Sequence, residues 1–341
     1  MISKTIRNQK KIAKFAIGVD LGGTKIGAAL VSKNGDIKEY IKNPTNAQQG
    51  KDVVVNRIKE IINQLINQSG VNFDNISGIG IGVPGQLDAR TGIVYSAPNL
   101  PGWKEVPICR IIEESFQVPV ILENDANAAA WGEKIFGVGQ GVKDMICLTL
   151  GTGIGGGLIF EGKIYHGNKF AAGEVGHVIV NKNGPHCNCG GVGCLETYSS
   201  ATGIRDRIFD KVKKLKKSSS EYLSKSDIDN ISLSDIFKRA RQGDPLVKDI
   251  VEDAIEYLGV GITILVNLLN PKMVVLVGGI ANESDKLLVP VKNYVFGRAM
   301  KIMLEDLQIV LGKLKGQAGV LGAAALLWHS DKYQINNNIN R

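Results

Sequence analysis

The stretch Asp20-Leu21-Gly22-Gly23-Thr24-Lys25 decides the fold of this chain. Apolar, β-rich runs flank it at 15–20 and 26–31, so two strands joined by a glycine-rich turn are predicted. Small residues in such a turn expose consecutive backbone N–H groups as a concave anion site. The acid that ends the first strand suits Mg²⁺ bound through water, and the threonine and lysine suit phosphate oxygens. The turn is therefore predicted to bind phosphate.

Two more glycine-rich turns follow along the chain. One of them joins the predicted strands 145–150 and 155–160 and consists of Leu150-Gly151-Thr152-Gly153-Ile154-Gly155-Gly156-Gly157. The other closes the predicted strand 273–277 with Gly278-Gly279. A strand, a glycine-rich turn with threonine and a second strand thus occur twice, which indicates an internal duplication. A single turn of this kind is commonly a plain hairpin, but the set of turns favours a nucleotide site.

Two other nucleotide-binding motifs are excluded. The stretch 80–85 formally has dinucleotide-binding spacing, but Pro84 and the polar residues after it provide no helix that could capture a phosphate. No Gly-x-x-x-x-Gly-Lys-Ser/Thr string occurs, so the sequence contains no P-loop.

The chain of 341 residues exceeds the size of one ordinary hydrophobic core, so two α/β lobes are expected. Hydrophobic periodicity predicts further elements on either side of the turns. These are strands at 77–83 and 118–122 and helices at 52–66, 245–269, 286–302 and 317–328.

The net charge of +8 comes from two short segments. Without them the balance is near neutral, so a solvated tail and a solvated helix end are favoured over a nucleic-acid surface. The apolar run 257–269 is too short to span a membrane, and the basic N-terminus lacks the apolar core of a secretory signal. We therefore expect a cytoplasmic protein with no nucleic-acid or membrane partner. The charges are Lys4, Arg7, Lys10, Lys11 and Lys14, and Lys211, Lys213, Lys214, Lys216 and Lys217.

Asp125 lies where a predicted strand meets an alanine-rich helix, within Glu123-Asn124-Asp125-Ala126-Asn127. Asp and Asn are favoured at helix starts for local hydrogen-bonding reasons, so this pattern taken alone indicates an N-cap. Because phosphate-binding turns are predicted before and after it, Asp125 becomes the acid that accepts a hydroxyl proton. Asn124 is then expected to orient the same substrate.

Three of the five cysteines fall within eight residues and follow a histidine. His177, Cys187, Cys189 and Cys194 have the spacing His-x9-Cys-x-Cys-x4-Cys. Four such ligands fill the tetrahedral shell of structural zinc, so the metal is expected to brace a loop and not to bind water. His186 is an alternative fourth ligand, and reduced cysteines without a metal are a further alternative.

Glu174 and Glu196 lie beside this cysteine-rich loop. Carboxylates in such positions can be plain surface charges. Held by a metal-stapled loop, they instead suit the binding of several sugar hydroxyls.

Five motifs in order resemble those of the ROK family of sugar kinases and related repressors. They are Asp20–Lys25, Glu123–Asn127, Leu150–Gly157, Glu174–His177 and the cysteine cluster followed by Glu196. The resemblance covers nearly the whole chain. It implies an actin-like ATPase, hexokinase-type (ribonuclease H-like) α/β fold of two lobes with a central cleft. The expected lobes are 1–124 plus 318–341, and 125–317 with the zinc loop 177–194.

The resemblance also implies a role for each matching residue. The sugar would contact Asn99, Asn124, Asp125, Glu174, His177 and Glu196. ATP would contact Gly22, Gly23, Thr24 and Lys25 in the first turn, Thr152 and Gly153 in the second, and Gly278 and Gly279 near the adenosine, with Asp20 serving Mg²⁺. His177 would bind zinc together with Cys187, Cys189 and Cys194, which would connect the metal to the sugar pocket.

The stretch Asn99-Leu100-Pro101-Gly102-Trp103 is similar to that of the bacterial glucose kinases of this family. The resemblance therefore implies phosphorylation of glucose by ATP to glucose 6-phosphate, with Asp125 as the general base. A kinase for N-acetylmannosamine, fructose or allose is one alternative, and a non-catalytic sugar-sensing regulator is another. Family repressors carry a helix-turn-helix before the first motif, and the roughly fourteen residues before Phe15 are too few for one. Members are commonly dimers or tetramers, which implies a homo-oligomer.

Overall fold

The computed structural model describes residues 14–215, 224–283 and 285–329. Six of the basic residues named above lie outside these ranges: Lys4, Arg7, Lys10, Lys11, Lys216 and Lys217. The chain forms two compact units. Unit 1 comprises the described residues up to Ala128 and from Gly319 onward, and unit 2 comprises those of Ala129–Ala318. The lobe boundaries expected at 124/125 and 317/318 stay a prediction.

Groups of strands and groups of helices follow one another along the described residues. The elements begin with β1 (Phe15–Leu21), β2 (Lys25–Ser32), β3 (Ile37–Pro44), α1 (Lys51–Ser69), β4 (Ile76–Val83), β5 (Gln86–Asp88), β6 (Ile93–Ser96), β7 (Lys104–Val106), α2 (Ile108–Phe116), β8 (Val120–Asn124) and α3 (Asp125–Ile135). They continue with β9 (Met145–Leu150), β10 (Ile154–Phe160), β11 (Lys163–Ile164), α4 (Glu196–Ser199), α5 (Ala201–Leu215), α6 (Lys225–Asn230), α7 (Leu233–Arg241), α8 (Lys248–Leu269), β12 (Met273–Val277), α9 (Asp285–Phe296), α10 (Lys301–Leu304), β13 (Gln308–Leu311) and α11 (Ala318–His329).

The main sheet of unit 1 has the strand order β3-β2-β1-β4-β8. β1 and β2 form the predicted antiparallel hairpin around the first turn, whereas β4 is parallel to β1 and β8 is parallel to β4. Asp20 pairs with Gly82, and Gly82 pairs with Glu123. Because parallel strands end at the same edge of a sheet, the first turn and the start of α3 emerge at the same edge, with the end of β4 between them.

Helix α11 lies directly on this sheet because glycines leave room for its backbone. A Cβ added at Gly18 would overlap the carbonyl oxygen of Val320, and one added at Gly80 would overlap that of Ala323. The small residues of α11 are almost all buried. The predicted final helix is thus confirmed, and its place on the sheet depends on two glycines in different strands.

The main sheet of unit 2 repeats this arrangement with the order β11-β10-β9-β12-β13. β9 and β10 form an antiparallel hairpin around the second turn, and β12 is parallel to both β9 and β13. All residues of β12 are buried, as expected for the interior strand of a parallel sheet. The internal duplication predicted from the two turns is therefore confirmed.

The apolar run 257–269 forms the second half of helix α8. Leu258, Ile262 and Leu265 are buried on one side of it at helical spacing, so its interpretation as a buried helix is confirmed. Within the described residues, no helix combines the length and the apolar character needed to cross a membrane.

The helix predicted at 286–302 is wrong as a single element. Helix α9 ends at Phe296, and the short helix α10 begins only at Lys301. Between them, the N–H of Met300 donates to Oδ1 of Asn267 in α8 at 3.0 Å. This tertiary hydrogen bond replaces a helical one, and periodicity along the sequence does not report it.

Candidate active site and zinc centre

The first glycine-rich turn is held in place by Thr45. The Thr45 hydroxyl donates to the carbonyl oxygen of Gly22 at 2.6 Å, and its N–H donates to that of Thr24 at 2.9 Å. The turn itself is closed by a 2.9 Å hydrogen bond from the N–H of Gly22 to the oxygen of Lys25. Thr45 is fully buried and lies 23 residues from Gly22, so no local pattern in the sequence indicated it.

Asp20 lies near the end of β1 and is half-buried. Burial raises the pKa of its carboxyl group, and the positive charge of Lys42 opposes this rise. The first turn of α11 packs against it, since a Cβ added at Gly319 would lie 2.6 Å from Oδ2 of Asp20. A cation bound beside this carboxylate would offset the cost of burying its charge. The surroundings of Asp20 therefore fit the expected Mg²⁺.

Asn99 lies against the first turn although it is distant in the sequence. A Cβ added at Gly23 would lie 2.9 Å from Cβ of Asn99 and 3.0 Å from its carbonyl oxygen. Gly23 is needed because the backbone of Asn99 approaches so closely. The structure thus brings a residue expected at the sugar next to a turn expected at phosphate.

Asn124, and not Asp125, caps helix α3. Oδ1 of Asn124 accepts hydrogen bonds from the N–H groups of Ala126 at 2.9 Å and Asn127 at 3.2 Å. Asp125 is the first helical residue and is half-buried, and its Oδ1 accepts from the N–H of Ala126 at 2.9 Å. It thus lies in the first turn of the helix, where acidic side chains are favoured. The capping role that the sequence pattern indicated for Asp125 therefore belongs to its neighbour.

Glu123 supports this strand-to-helix junction from inside unit 1. It is 2% exposed, and its Oε1 accepts from the N–H of Asn124 at 3.0 Å and from Nδ2 of Asn127 at 3.1 Å. Hydrogen bonds to a carboxylate are stronger than neutral ones. Glu123 therefore fixes the backbone that carries Asn124 and Asp125, a role that the sequence motif did not distinguish.

The second glycine-rich turn lies against Glu196. Oε2 of Glu196 accepts a hydrogen bond from the N–H of Ile154 at 2.8 Å. A Cβ added at Gly153 would overlap the same oxygen. The structure thus brings Gly153, expected at phosphate, together with Glu196, expected at the sugar, within unit 2.

Gly278 brings the third glycine pair to the base of the second turn. Its φ of +102° favours glycine, and a Cβ there would lie 2.5 Å from the carbonyl oxygen of Leu150. Around Gly279, in contrast, no atom of the described residues other than its two chain neighbours lies within 4 Å of an added Cβ. Gly278 therefore allows two strand ends to meet, and Gly279 borders open space beside the turn.

The four predicted zinc ligands converge. One ligand atom from each of His177, Cys187, Cys189 and Cys194 lies within 4.8 Å of all the others. Sγ of Cys187 is 3.6 Å from Nδ1 of His177, and Sγ of Cys189 is 3.7 Å from Sγ of Cys194. In a tetrahedral shell, zinc–sulfur bonds are about 2.3 Å and zinc–nitrogen bonds about 2.05 Å long. The ligand atoms of such a shell are separated by about 3.6 Å for sulfur and nitrogen and by about 3.8 Å for two sulfurs. The residues therefore fit a structural zinc ion.

The two ring nitrogens of His177 face different groups. Nδ1 points to the cysteines, while Nε2 lies 3.9 Å from Oε2 of Glu174. The alternative ligand His186 is instead part of an isolated β-bridge with Val192, and the converging ligand set includes His177 in its place. A histidine that binds metal through one nitrogen commonly presents the other N–H to an acceptor. Glu174 lies on this side of His177, although at 3.9 Å it is beyond hydrogen-bond distance.

Comparison with known proteins agrees with these observations. The model of the ROK family matches residues 16–330. A glucokinase of Halalkalibacterium halodurans is 36% identical over 95% of this chain and 98% of that protein. A xylose repressor of Caldicellulosiruptor bescii is 33% identical over 91% of this chain and 77% of that protein.

A solved structure shares the fold. A ROK family glucokinase from Streptomyces griseus, in complex with glucose and AMPPNP, is 33% identical, with a TM-score of 0.75 over 92% of this chain and 98% of that one. The predicted α/β fold class of the actin-like ATPases and hexokinases is thus confirmed. The chain belongs to the ROK family.

Proposed function

We propose that this protein is an ATP-dependent sugar kinase that phosphorylates glucose to glucose 6-phosphate, with Asp125 as the general base. The observation that carries the proposal is the position of Asp125 at the carboxyl end of β8, with the capping of α3 left to Asn124. Near full-length similarity to a glucokinase supports the reaction, and similarity to a structure with bound glucose and AMPPNP supports the substrates.

In the proposed reaction, Asp125 accepts the proton of the 6-hydroxyl group while that oxygen forms a bond to the γ-phosphorus of ATP. The bond between the γ-phosphorus and the bridging oxygen breaks, and ADP leaves with the electron pair. Proton transfer to a positioned base of this kind accounts for a large part of the rate. The remaining sugar contacts are proposed for Asn99 and Asn124 of unit 1 and for Glu174, His177 and Glu196 of unit 2.

ATP is proposed to bind through backbone N–H groups of both turns. In the first turn, the phosphates contact Gly22, Gly23, Thr24 and Lys25. In the second turn, they contact Thr152 and Gly153. The adenosine lies beside Gly278 and Gly279. Asp20 would hold Mg²⁺, which would supply positive charge to the phosphate oxygens. His177 and the three cysteines would hold zinc, which would brace the loop between Glu174 and Glu196.

We also propose a cytoplasmic location and a homo-oligomer, either a dimer or a tetramer. None of the five cysteines is in a disulfide, and the three proposed zinc ligands must stay reduced, which fits the cytosol. The oligomer is proposed from the common state of the family. Light scattering on the purified chain measures it directly.

The choice of sugar is tested by ADP release in a coupled assay with glucose, mannose, fructose, allose and N-acetylmannosamine. We expect the highest kcat/KM with glucose. Preference for N-acetylmannosamine would replace glucose as the substrate, because specificity depends on pocket shape around shared hydroxyl contacts. If the protein binds a sugar but releases no ADP with any sugar of the panel, a non-catalytic regulator would be favoured.

Gly319→Ala is expected to lower kcat/KM for Mg·ATP by about 10- to 100-fold, because the added Cβ would displace the carboxylate of Asp20. The matched control is Gly316→Ala, since no atom lies within 4 Å of a Cβ at that position. Steady-state kinetics at varied Mg²⁺ concentration check both variants. Equal kcat/KM values for the two variants would show that the position of Asp20 does not depend on the absence of a side chain at residue 319.

A further inference from the structure

Glu196 is built into the second glycine-rich turn. Its Oε2 accepts from the N–H of Ile154 at 2.8 Å, and only a glycine at 153 leaves space for that oxygen. An N–H donated to a charged acceptor makes one of the stronger hydrogen bonds in proteins. The carboxylate is therefore part of the structure of the turn, in addition to the sugar contact proposed for it.

The segment that follows Glu196 holds the same turn through its backbone. The N–H of Ala201 donates to the carbonyl oxygen of Gly151 at 2.9 Å, and the N–H of Thr202 donates to that of Thr152 at 3.3 Å. The turn is thus bonded to residues 196–202 at three places: the carbonyls of 151 and 152 and the N–H of 154.

This segment is itself firmly seated in unit 2. The hydroxyl of Ser199 is buried and donates to the carbonyl oxygen of Ala254 in α8 at 2.7 Å. Leu195 is fully buried, and Gly261 of α8 lets it pack closely. The N–H of Leu195 donates to the oxygen of Val178 at 2.9 Å, directly beside the zinc ligands His177 and Cys194.

We propose that Glu196 is a positioning residue for the nucleotide, which keeps the second turn in the conformation that binds phosphate. One carboxylate oxygen bonds the turn, and the other is left to meet a sugar hydroxyl. The two substrates of the proposed kinase then depend on one side chain, two residues from a zinc ligand. This inference rests on the proposed function, because it assumes that the turn binds the phosphates of ATP.

The test measures nucleotide binding in the absence of sugar, where a pure sugar ligand has no effect. Mg·AMPPNP is titrated calorimetrically into the full chain and its variants, with zinc content measured on the same samples. We expect Glu196→Ala to weaken AMPPNP binding about tenfold or more, since a hydrogen bond to a charged group is lost. Glu196→Gln keeps a carbonyl oxygen for Ile154 and should bind within about threefold of the wild type. The control Glu252→Ala removes an exposed acid of α8 and should change nothing.

The outcomes separate the inference from the proposed function. If Glu196→Ala binds AMPPNP as tightly as the wild type but no longer binds glucose, the positioning role is wrong and the kinase proposal stands. Glutamine as weak as a folded alanine variant would also overturn the positioning role. If the alanine variant is poorly folded, the glutamine variant is compared with the wild type instead, and a loss of about tenfold or more in AMPPNP affinity would overturn the role. If the wild-type chain binds no AMPPNP, both proposals fail.

Discussion

Asp125→Asn is expected to reduce kcat for glucose phosphorylation by about 10²- to 10⁴-fold, the usual contribution of a general base. The amide is nearly the same size as the carboxylate and still offers an oxygen to the N–H of Ala126, so the start of α3 should be preserved. Glucose affinity, measured by calorimetry, should therefore stay within about threefold of the wild-type value, since only proton acceptance is removed.

The control for this variant is Asp52→Asn. Asp52 also lies in the first turn of a helix, α1, but it is exposed and far in the sequence from every predicted motif. The turnover of the Asp52→Asn variant should equal that of the wild type. Near-normal turnover of Asp125→Asn would mean that another group accepts the proton, and the assignment of the base would have to be abandoned.

Cys189→Ser is expected to abolish zinc binding and to lower kcat/KM for glucose by at least about tenfold. Cys189 is the one exposed ligand of the four, so serine there causes little change in packing, and the loss reports on the metal. Without zinc, the loop between His177 and Cys194 loses its cross-link. Glu196, two residues beyond Cys194, then loses its support.

Metal content by mass spectrometry and the coupled kinase assay check this expectation together. Cys109→Ala is the matched control, because it removes a thiol from unit 1 that takes no part in the ligand cluster. That control should keep about one zinc per chain, as the closed four-ligand site implies. Full zinc content and activity in Cys189→Ser would show that Cys189 is not needed to hold the zinc, and its assignment as a ligand would be wrong.

Much of the fold could be predicted because its signals are local. The hairpin of β1 and β2, the hairpin of β9 and β10 and the buried strand β12 each consist of apolar runs closed by glycines. Runs of this kind form strands in nearly any context, since the pattern and the turn agree. The short sheet β5-β6-β7 was missed because its strands have three or four residues, too few for a period to show.

The candidate site was predictable only in part. The zinc ligands could be found because three of them lie within eight residues and cysteine has few other uses at that spacing. Thr45 and Gly319 could not be found. Each acts by contacting a residue of an element that is distant in the sequence, and a single sequence does not state which elements meet.

The sequence by itself determined the turns, the three cysteine ligands and the acid at the start of α3, because each depends on neighbours within a few residues. Only the tertiary structure decided that Asn99 lies on the first turn, that Gly319 faces Asp20, that Asn124 caps α3 and that Glu196 bonds the second turn. The reason is physical. Sheet register and helix packing set the contacts between distant segments. The need for a glycine can be seen only when the atom that lies where its Cβ would be is known.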